Sequence, residues 1–387
     1  MKRKKIILSI ALLLYILIQP LNCIAEEINS KEIINSQTEV LKITDFLNEA
    51  NKYCPEVFEE INFKDVLNDT LQGKVDNKLL INVFTKVLGK ETISSIKVIS
   101  SIVVIIIIHS ILNSIVENTN NSSVSQIAYY VQYILIVTII MTNFSSVIEL
   151  VKTSIDSLVT FCNALIPILM TLIITTGNIA SSSILYPIML FLITFIGNFI
   201  NGIIIPITLV STTLAIVSKV SDRVQLNNLS KFFKSGVVWA LGVVLTVFVG
   251  VISIEGSLSS SVDGLTSKTT KAVVSNFIPI VGKILSDSVE TVLGCTNILK
   301  NAVGIIGVLI VVGICILPII KLTLIMTTYY IGSAICEPIA DKKITDLLSQ
   351  LGDTYKTLLA IMCSVSVMLI IGITLVIKIT NTGLMYN

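Results

Sequence analysis

His109 is the only histidine in the sequence, which leaves no basis for a catalytic triad, an HExxH zinc site or a His-rich metal cluster. Gly282-Lys283 has the ending of a phosphate-binding loop. Phe277, however, stands where that motif needs its first glycine, and Ile284 follows the lysine where it needs Ser or Thr, so no nucleotide site is expected. The seven cysteines form no CxxC pair. Cys162, Cys315, Cys336 and Cys363 fall in or beside apolar runs and read as small apolar fillers, while Cys54 and Cys295 fall in polar stretches where pairing is open to them. No catalytic set emerges, and neither a metal nor a cofactor is implied.

What remains is polar chemistry inside apolar surroundings, where charge is costly and usually has a role. His109 interrupts the run Ile96 to Val116, Asn198 and Asn201 interrupt Ile184 to Val217, and Pro318 and Lys321 interrupt Ala302 to Cys336. Two readings compete for these residues. His109 and the asparagines are interhelical hydrogen-bond partners and Lys321 snorkels to an interface, or they line a transport path. A second cluster lies in Asn276-Phe277-Ile278-Pro279-Ile280-Val281-Gly282-Lys283, an apolar run broken by Pro279 and closed by Gly282 and Lys283. It is too short to cross a bilayer, which needs about 20 residues. Lys283 and Asp287 stand four residues apart with opposite charge and can pair on one helix face. The segment reads as a loop dipping into the membrane from outside, or as a surface hairpin touching the interface.

The elements that must position these residues follow from composition. Charged residues are 13% of the chain and hydrophobic residues 53%, where soluble domains carry roughly 25% charge, and the mean hydropathy is +0.89. The expected fold is all-α, a polytopic membrane protein whose partner is the lipid bilayer. A net charge of +2 with no basic patch speaks against nucleic acid. Residues 1–25 read as a signal peptide: Lys2, Arg3, Lys4 and Lys5, the apolar stretch Ile6 to Ile18, then Cys23-Ile24-Ala25 before Glu26. A retained anchor is the alternative. Residues 26–92 turn polar and acidic, with Phe46, Leu47, Val57 and Phe58 opening a helical spacing of apolar residues. They read as a small extracytoplasmic helical domain that leans on the membrane domain or a partner, or as a solvated spacer.

Residues 93–387 form the membrane domain, with about six to eight spans by hydropathy and a central polar loop at 255–300. Spans are expected at Ile96 to Val116, Ile127 to Val147, Leu158 to Thr176, Val237 to Ile254 and Leu358 to Ile377. Ile184 to Val217 is overlong and is expected to cross twice as two broken helices. Ala302 to Cys336 is also overlong, and its number of crossings is left open. The loop Ser218 to Ser235, with Lys219, Arg223, Lys231 and Lys234 against Asp222, is expected on the cytoplasmic side. The loop Glu337 to Lys356 is nearly balanced and places the C-terminus on neither side.

The string NFIPIVGKILSDSVETV at 276–292, then LKNAVGIIGV at 299–308 and the Pro318 to Lys321 break, resembles the stage III sporulation protein AE family. The motif resemblance is specific over about 255–325, and elsewhere it is one of layout. It implies a membrane component of the channel or secretion-like complex between mother cell and forespore, required for sporulation after engulfment. It implies as partners an ATPase, ring-forming proteins and a forespore membrane protein of the same complex, and as location the mother-cell membrane around the forespore. Read from the residues alone, paired broken helices and a Pro-Gly loop resemble transporter construction, so a solute permease or exporter is the alternative.

Overall fold

The computed structural model describes residues 30–50, 122–220, 226–277, 281–340 and 342–379, together with single positions between 66 and 111; for 255–290 the description is of backbone alone. Among the described residues the elements are helices and no strand occurs, as an all-α polytopic protein requires. In chain order they are α1 (Ser30–Val40), α2 (Ile43–Ala50), α3 (Ser122–Thr175), α4 (Ile179–Phe199), a π turn (Ile200–Ile204), α5 (Ile205–Val220), α6 (Asn227–Phe277), α7 (Val281–Cys336) and α8 (Lys342–Ile379). Among the described residues five stretches are long and apolar enough to cross a membrane: Tyr133–Thr175, Ile179–Lys219, Asn227–Ile254, Thr291–Cys336 and Lys342–Lys378.

The two spans expected at Ile127 to Val147 and Leu158 to Thr176 are one helix. Glu149, Lys152 and Asp156 separate the apolar runs, yet this stretch has no Gly or Pro before Pro167. Charge alone does not end a helix. Its inward face, Ile136, Ile140, Phe144, Val147, Val151 and Ile155, is almost wholly buried at the three- and four-residue steps that keep side chains on one face of a helix.

The helix stops in a Schellman turn. The Gly177 amide donates to Ile174 O (2.9 Å) and the Asn178 amide to Ile173 O (3.2 Å), with Gly177 at φ +88, a left-handed conformation that glycine adopts without strain.

The block expected to cross twice does not turn back. α4, the π turn and α5 run antiparallel to α3 along its length: Ser182 Oγ donates to Met170 O, Asn163 Nδ2 to Thr194 Oγ1, and Tyr133 Oη to Ile216 O. Pro206 supplies the reason for the π turn. It has no N–H to give the Gly202 carbonyl and its ring crowds that group, and a widened turn relieves the crowding while the helix continues.

Both revisions remove one crossing, so the parity of the count to the loop after Val220 is unchanged.

α8 lies at the centre, packed along α7 and touching α6, α5, α3 and α4. It is antiparallel to α7, with Ser333 bonded to Thr345 O at one end and Gly304 against Ile377 at the other. A Cβ on Gly304 would collide with the Ile377 side chain, so glycine sets how closely these helices approach. The central polar stretch is largely helical, contrary to expectation: α6 runs on to Phe277 and α7 begins at Val281. α7 also passes through Pro318 without a break. α1 and α2 lean on the membrane domain. Gln37 Nε2 donates to Thr296 Oγ1 at 2.7 Å, and Phe46 stacks on Phe161 with ring centroids 5.7 Å apart.

Candidate membrane-embedded polar site

The last helix is a ruler for depth. Its stretch Leu358 to Ile377 carries no charge and lies between Lys356 and Lys378, and at 1.5 Å per residue it spans about 30 Å, the thickness of a bilayer core. Tyr355, just below it, meets Phe144 of α3 edge-on at 5.9 Å. At the other end Gly307 packs against Leu165 of α3, one turn from the Gly304–Ile377 contact. Asp156 is roughly 18 Å along the axis from Phe144 and roughly 13 Å from Leu165, which puts it near mid-depth.

Asp156 is exposed on the outer side of the bundle, and Asn201 Nδ2 donates to its Oδ1 at 2.6 Å. Asn201 belongs to the π turn, an irregularity often found at functional sites, and the Ile205 amide reaches Ile200 O across the widened turn. Gly197, one turn before, lets α3 approach so closely that a Cβ there would lie 2.6 Å from Val159 Cγ2. Next along the seam, Asn163 donates to Thr194 at 3.5 Å. The Oδ1 atoms of Asn163 and Asn201 are buried and accept no hydrogen bond. Asn198 is exposed and lines a surface hollow of about 570 Å³ with Phe191, Thr194 and Phe195. One carboxylate, three carboxamides and spare acceptors at mid-depth can bind a polar group, a solute or another helix. They make no nucleophile–base pair.

A second polar layer closes the bundle below Leu358. Lys219 Nζ pairs with Asp346 at 2.8 Å, and Lys234 Nζ with Asp353 at 3.6 Å. Tyr330 Oη donates to the other oxygen of Asp353 at 2.7 Å, Gln350 to Asn227 at 3.2 Å, and Ser211 and Ser230 bond reciprocally across α5 and α6. The layer ties the end of α5 and the start of α6 to the start of α8. The turn after Val220 and the turn before Lys342 therefore lie at the same end of the bundle, and Lys378 lies at the other. Among the described residues no group of His, Cys, Asp and Glu could hold a metal ion.

Residues 61–380 match the family model for stage III sporulation protein AE. The chain belongs to this family. It is 30% identical over 295 residues to the stage III sporulation protein AE of Bacillus subtilis (strain 168), covering 76% of this chain and 74% of that protein. No solved structure matches. The family match extends well beyond the 255–325 stretch that carries the motif resemblance, and it takes in the whole Asp156–Asn201 seam.

Within the family region, the residues singled out by sequence scatter. Asn198 and Asn201 come together with Asp156. Lys321 is half-buried on α7, one turn past Pro318, away from the Asn276 to Asp287 stretch. Asn276 lies in the last turn of α6, while Gly282, Lys283 and Asp287 sit in the first turns of α7, so the backbone there is helix on both sides. His109, Pro279 and the 1–25 segment lie outside the described residues. Cys295 is a free, buried thiol, so it does not pair with Cys54, and Cys162, Cys315 and Cys336 are likewise free and buried. Sequence reasoning missed Asp156, because a charge between two apolar runs reads as a loop. The signal was the lack of a helix breaker there.

Proposed function

We propose that this chain is a non-enzymatic membrane component of the channel or secretion-like complex between mother cell and forespore, required for sporulation after engulfment. The family match over residues 61–380 carries this reading. Its setting is the mother-cell membrane around the forespore. Its partners are other membrane proteins of that complex, an ATPase, ring-forming proteins and a forespore membrane protein among them, and with no nucleotide motif in the chain the energy comes from the ATPase. The test is deletion of the gene in the native host: sporulation should stop after engulfment while vegetative growth is unchanged, and normal heat-resistant spore counts would overturn the assignment.

A second reading, passage of a polar solute by this subunit itself, is favoured by the Asp156–Asn201 pair at mid-depth on a helix interrupted by a π turn, since intramembrane carboxylates commonly mark transport paths. Uptake of small polar solutes into vesicles containing the purified protein tests it, and vesicles no leakier than protein-free ones would remove it.

A further inference from the structure

The corner between the start of α6 and the start of α8 carries more positive charge than it neutralises. Lys234 and Tyr330 share Asp353, and Lys356, one turn along α8, repels the Lys234 ammonium. Lys231 stands one turn before Lys234 on α6. Lys231 and Lys356 are exposed, and among the described residues no ion pair engages either of them. Three ammonium groups therefore meet one carboxylate.

Depth places this excess among lipid headgroups. At 1.5 Å per residue, Lys356 lies about 3 Å and Asp353 about 7.5 Å below Leu358, the edge of the hydrocarbon. The headgroup layer beyond that edge is roughly 5–8 Å thick. Lys234 is level with Asp353, 3.6 Å away, so Trp239, five residues on, returns to the edge. Trp239 is the chain's single tryptophan and is 72% exposed, the placement of an interfacial anchor. It belongs to a ridge of exposed residues spaced by four: Lys231, Ser235, Trp239, Val243 and Val247. Along this ridge the chemistry passes from cation to hydroxyl to indole to aliphatic as α6 enters the membrane.

We infer that this ridge, with Lys356 beside it, binds a phospholipid of net negative headgroup from the cytoplasmic leaflet. Lys231 extends its stem up the helix toward the phosphate, Lys356 meets it from α8, and the Ser235 hydroxyl donates to a headgroup oxygen. An acyl chain lies along Trp239, Val243 and Val247. Charge selects this occupant. A second copy in the same membrane would set lysine against lysine, and a zwitterionic lipid brings no net charge to offset the excess. A free phosphate gains nothing from the apolar part of the ridge. The site is independent of the sporulation reading and survives its failure.

Trp239 is its own probe. The full-length protein is reconstituted in phosphatidylcholine bilayers containing a rising fraction of either phosphatidylglycerol or phosphatidylcholine with brominated acyl chains, and quenching of its tryptophan fluorescence is measured. The expected result is that the brominated phosphatidylglycerol is enriched about fivefold over the brominated phosphatidylcholine beside Trp239, the order expected for one lysine at a charged membrane surface. Lys231→Gln and Lys356→Gln should each lower the enrichment and together bring it close to one. Lys231→Arg should keep it, and Lys378→Gln, at the opposite end of the bundle, should leave it unchanged. Four outcomes overturn the inference: equal quenching by the two brominated lipids; quenching by neither, meaning a face covered by protein; an enrichment that ignores the charge at 231 and 356 or falls equally on Lys378→Gln; or an enrichment lost in sodium phosphate but kept in sodium chloride of the same ionic strength, meaning a site for free phosphate.

Discussion

Asn201, forty-five residues along the chain from Asp156, donates its side-chain amide to that carboxylate at 2.6 Å from within a π turn at mid-depth. The pair holds together two helices that cross the bilayer in opposite directions, and it does so at the place where the helical ladder of one is loosened. Asp156→Ala and Asn201→Ala each remove one partner, and a double-mutant cycle by thermal unfolding in detergent should give a coupling of about 0.5–1.5 kcal/mol, the range for hydrogen bonds between membrane helices. Additive losses would mean that the contact is not made.

Glycines on α7 set the α7–α8 and α7–α3 distances. Gly304 faces Ile377 and Gly307 faces Leu165 with no room for a Cβ, so Gly304→Leu and Gly307→Leu should each destabilise by about 1–3 kcal/mol through overpacking. Gly242 on α6 has nothing within 4 Å of a built Cβ, and Gly242→Ala should be neutral or stabilise by roughly 0.5–1 kcal/mol, the helical advantage of Ala over Gly. Unfolding midpoints of the three variants decide it, and an equal loss at all three would contradict the packing.

Asp353 is shared between Tyr330 and Lys234, and the two contacts are unequal. The hydroxyl sits at 2.7 Å, whereas the lysine is 3.6 Å away from a carboxylate whose side chain is 51% exposed. Tyr330→Phe should cost about 1.5–3 kcal/mol, as for a hydrogen bond to a charged group, and Lys234→Met less than about 1 kcal/mol, as for an exposed ion pair. Unfolding at low and high salt separates them, because only the lysine's contribution should fade with salt. The reverse order would show that the ion pair dominates the layer.

The Lys219–Asp346 pair at 2.8 Å fixes which chain ends share a side. Single cysteines at Asn228 and Lys342, introduced into a cysteine-free chain, should react with an impermeant maleimide from the cytoplasmic face, and one at Lys378 from the opposite face. All three residues are exposed. The cytoplasmic assignment follows from the basic residues around the turn after Val220. Labelling of Lys342 and Lys378 from the same side would break the bundle as described.

Much of this architecture is legible in the sequence, and the failures have physical causes. Apolar runs of membrane length identify an all-α polytopic chain, and Asn201 stands out because an amide in an apolar run needs a partner. Asp156 does not stand out in the same way. Hydropathy sees Glu149 to Asp156 as the gap between two spans, although no residue there stops a helix, and only the packing of Val147, Val151 and Ile155 against the bundle shows that α3 continues. The pattern Gly197, Asn201, Gly202 and Pro206 correctly marks a disturbed helix. A proline, however, yields a kink, a π turn or a reversal depending on what packs beside it, and α3 packs along both sides of this one. Between Glu255 and Lys300, Ser and Gly mimic a loop although the backbone is helical on both sides of residues 278–280, because single-residue propensity is a weak guide to helix.

The sporulation reading and the Asp156–Asn201 contact meet in one expected outcome, that loss of the Asp156 carboxylate lowers spore formation. The most direct measurement is the heat-resistant spore count of a deletion strain complemented with the wild-type gene or with Asp156→Asn, together with an immunoblot of membrane fractions to establish equal insertion. The account predicts that the wild-type gene restores spores and that Asp156→Asn, present at the same level in the membrane, restores markedly fewer. Full spore counts from Asp156→Asn would contradict it.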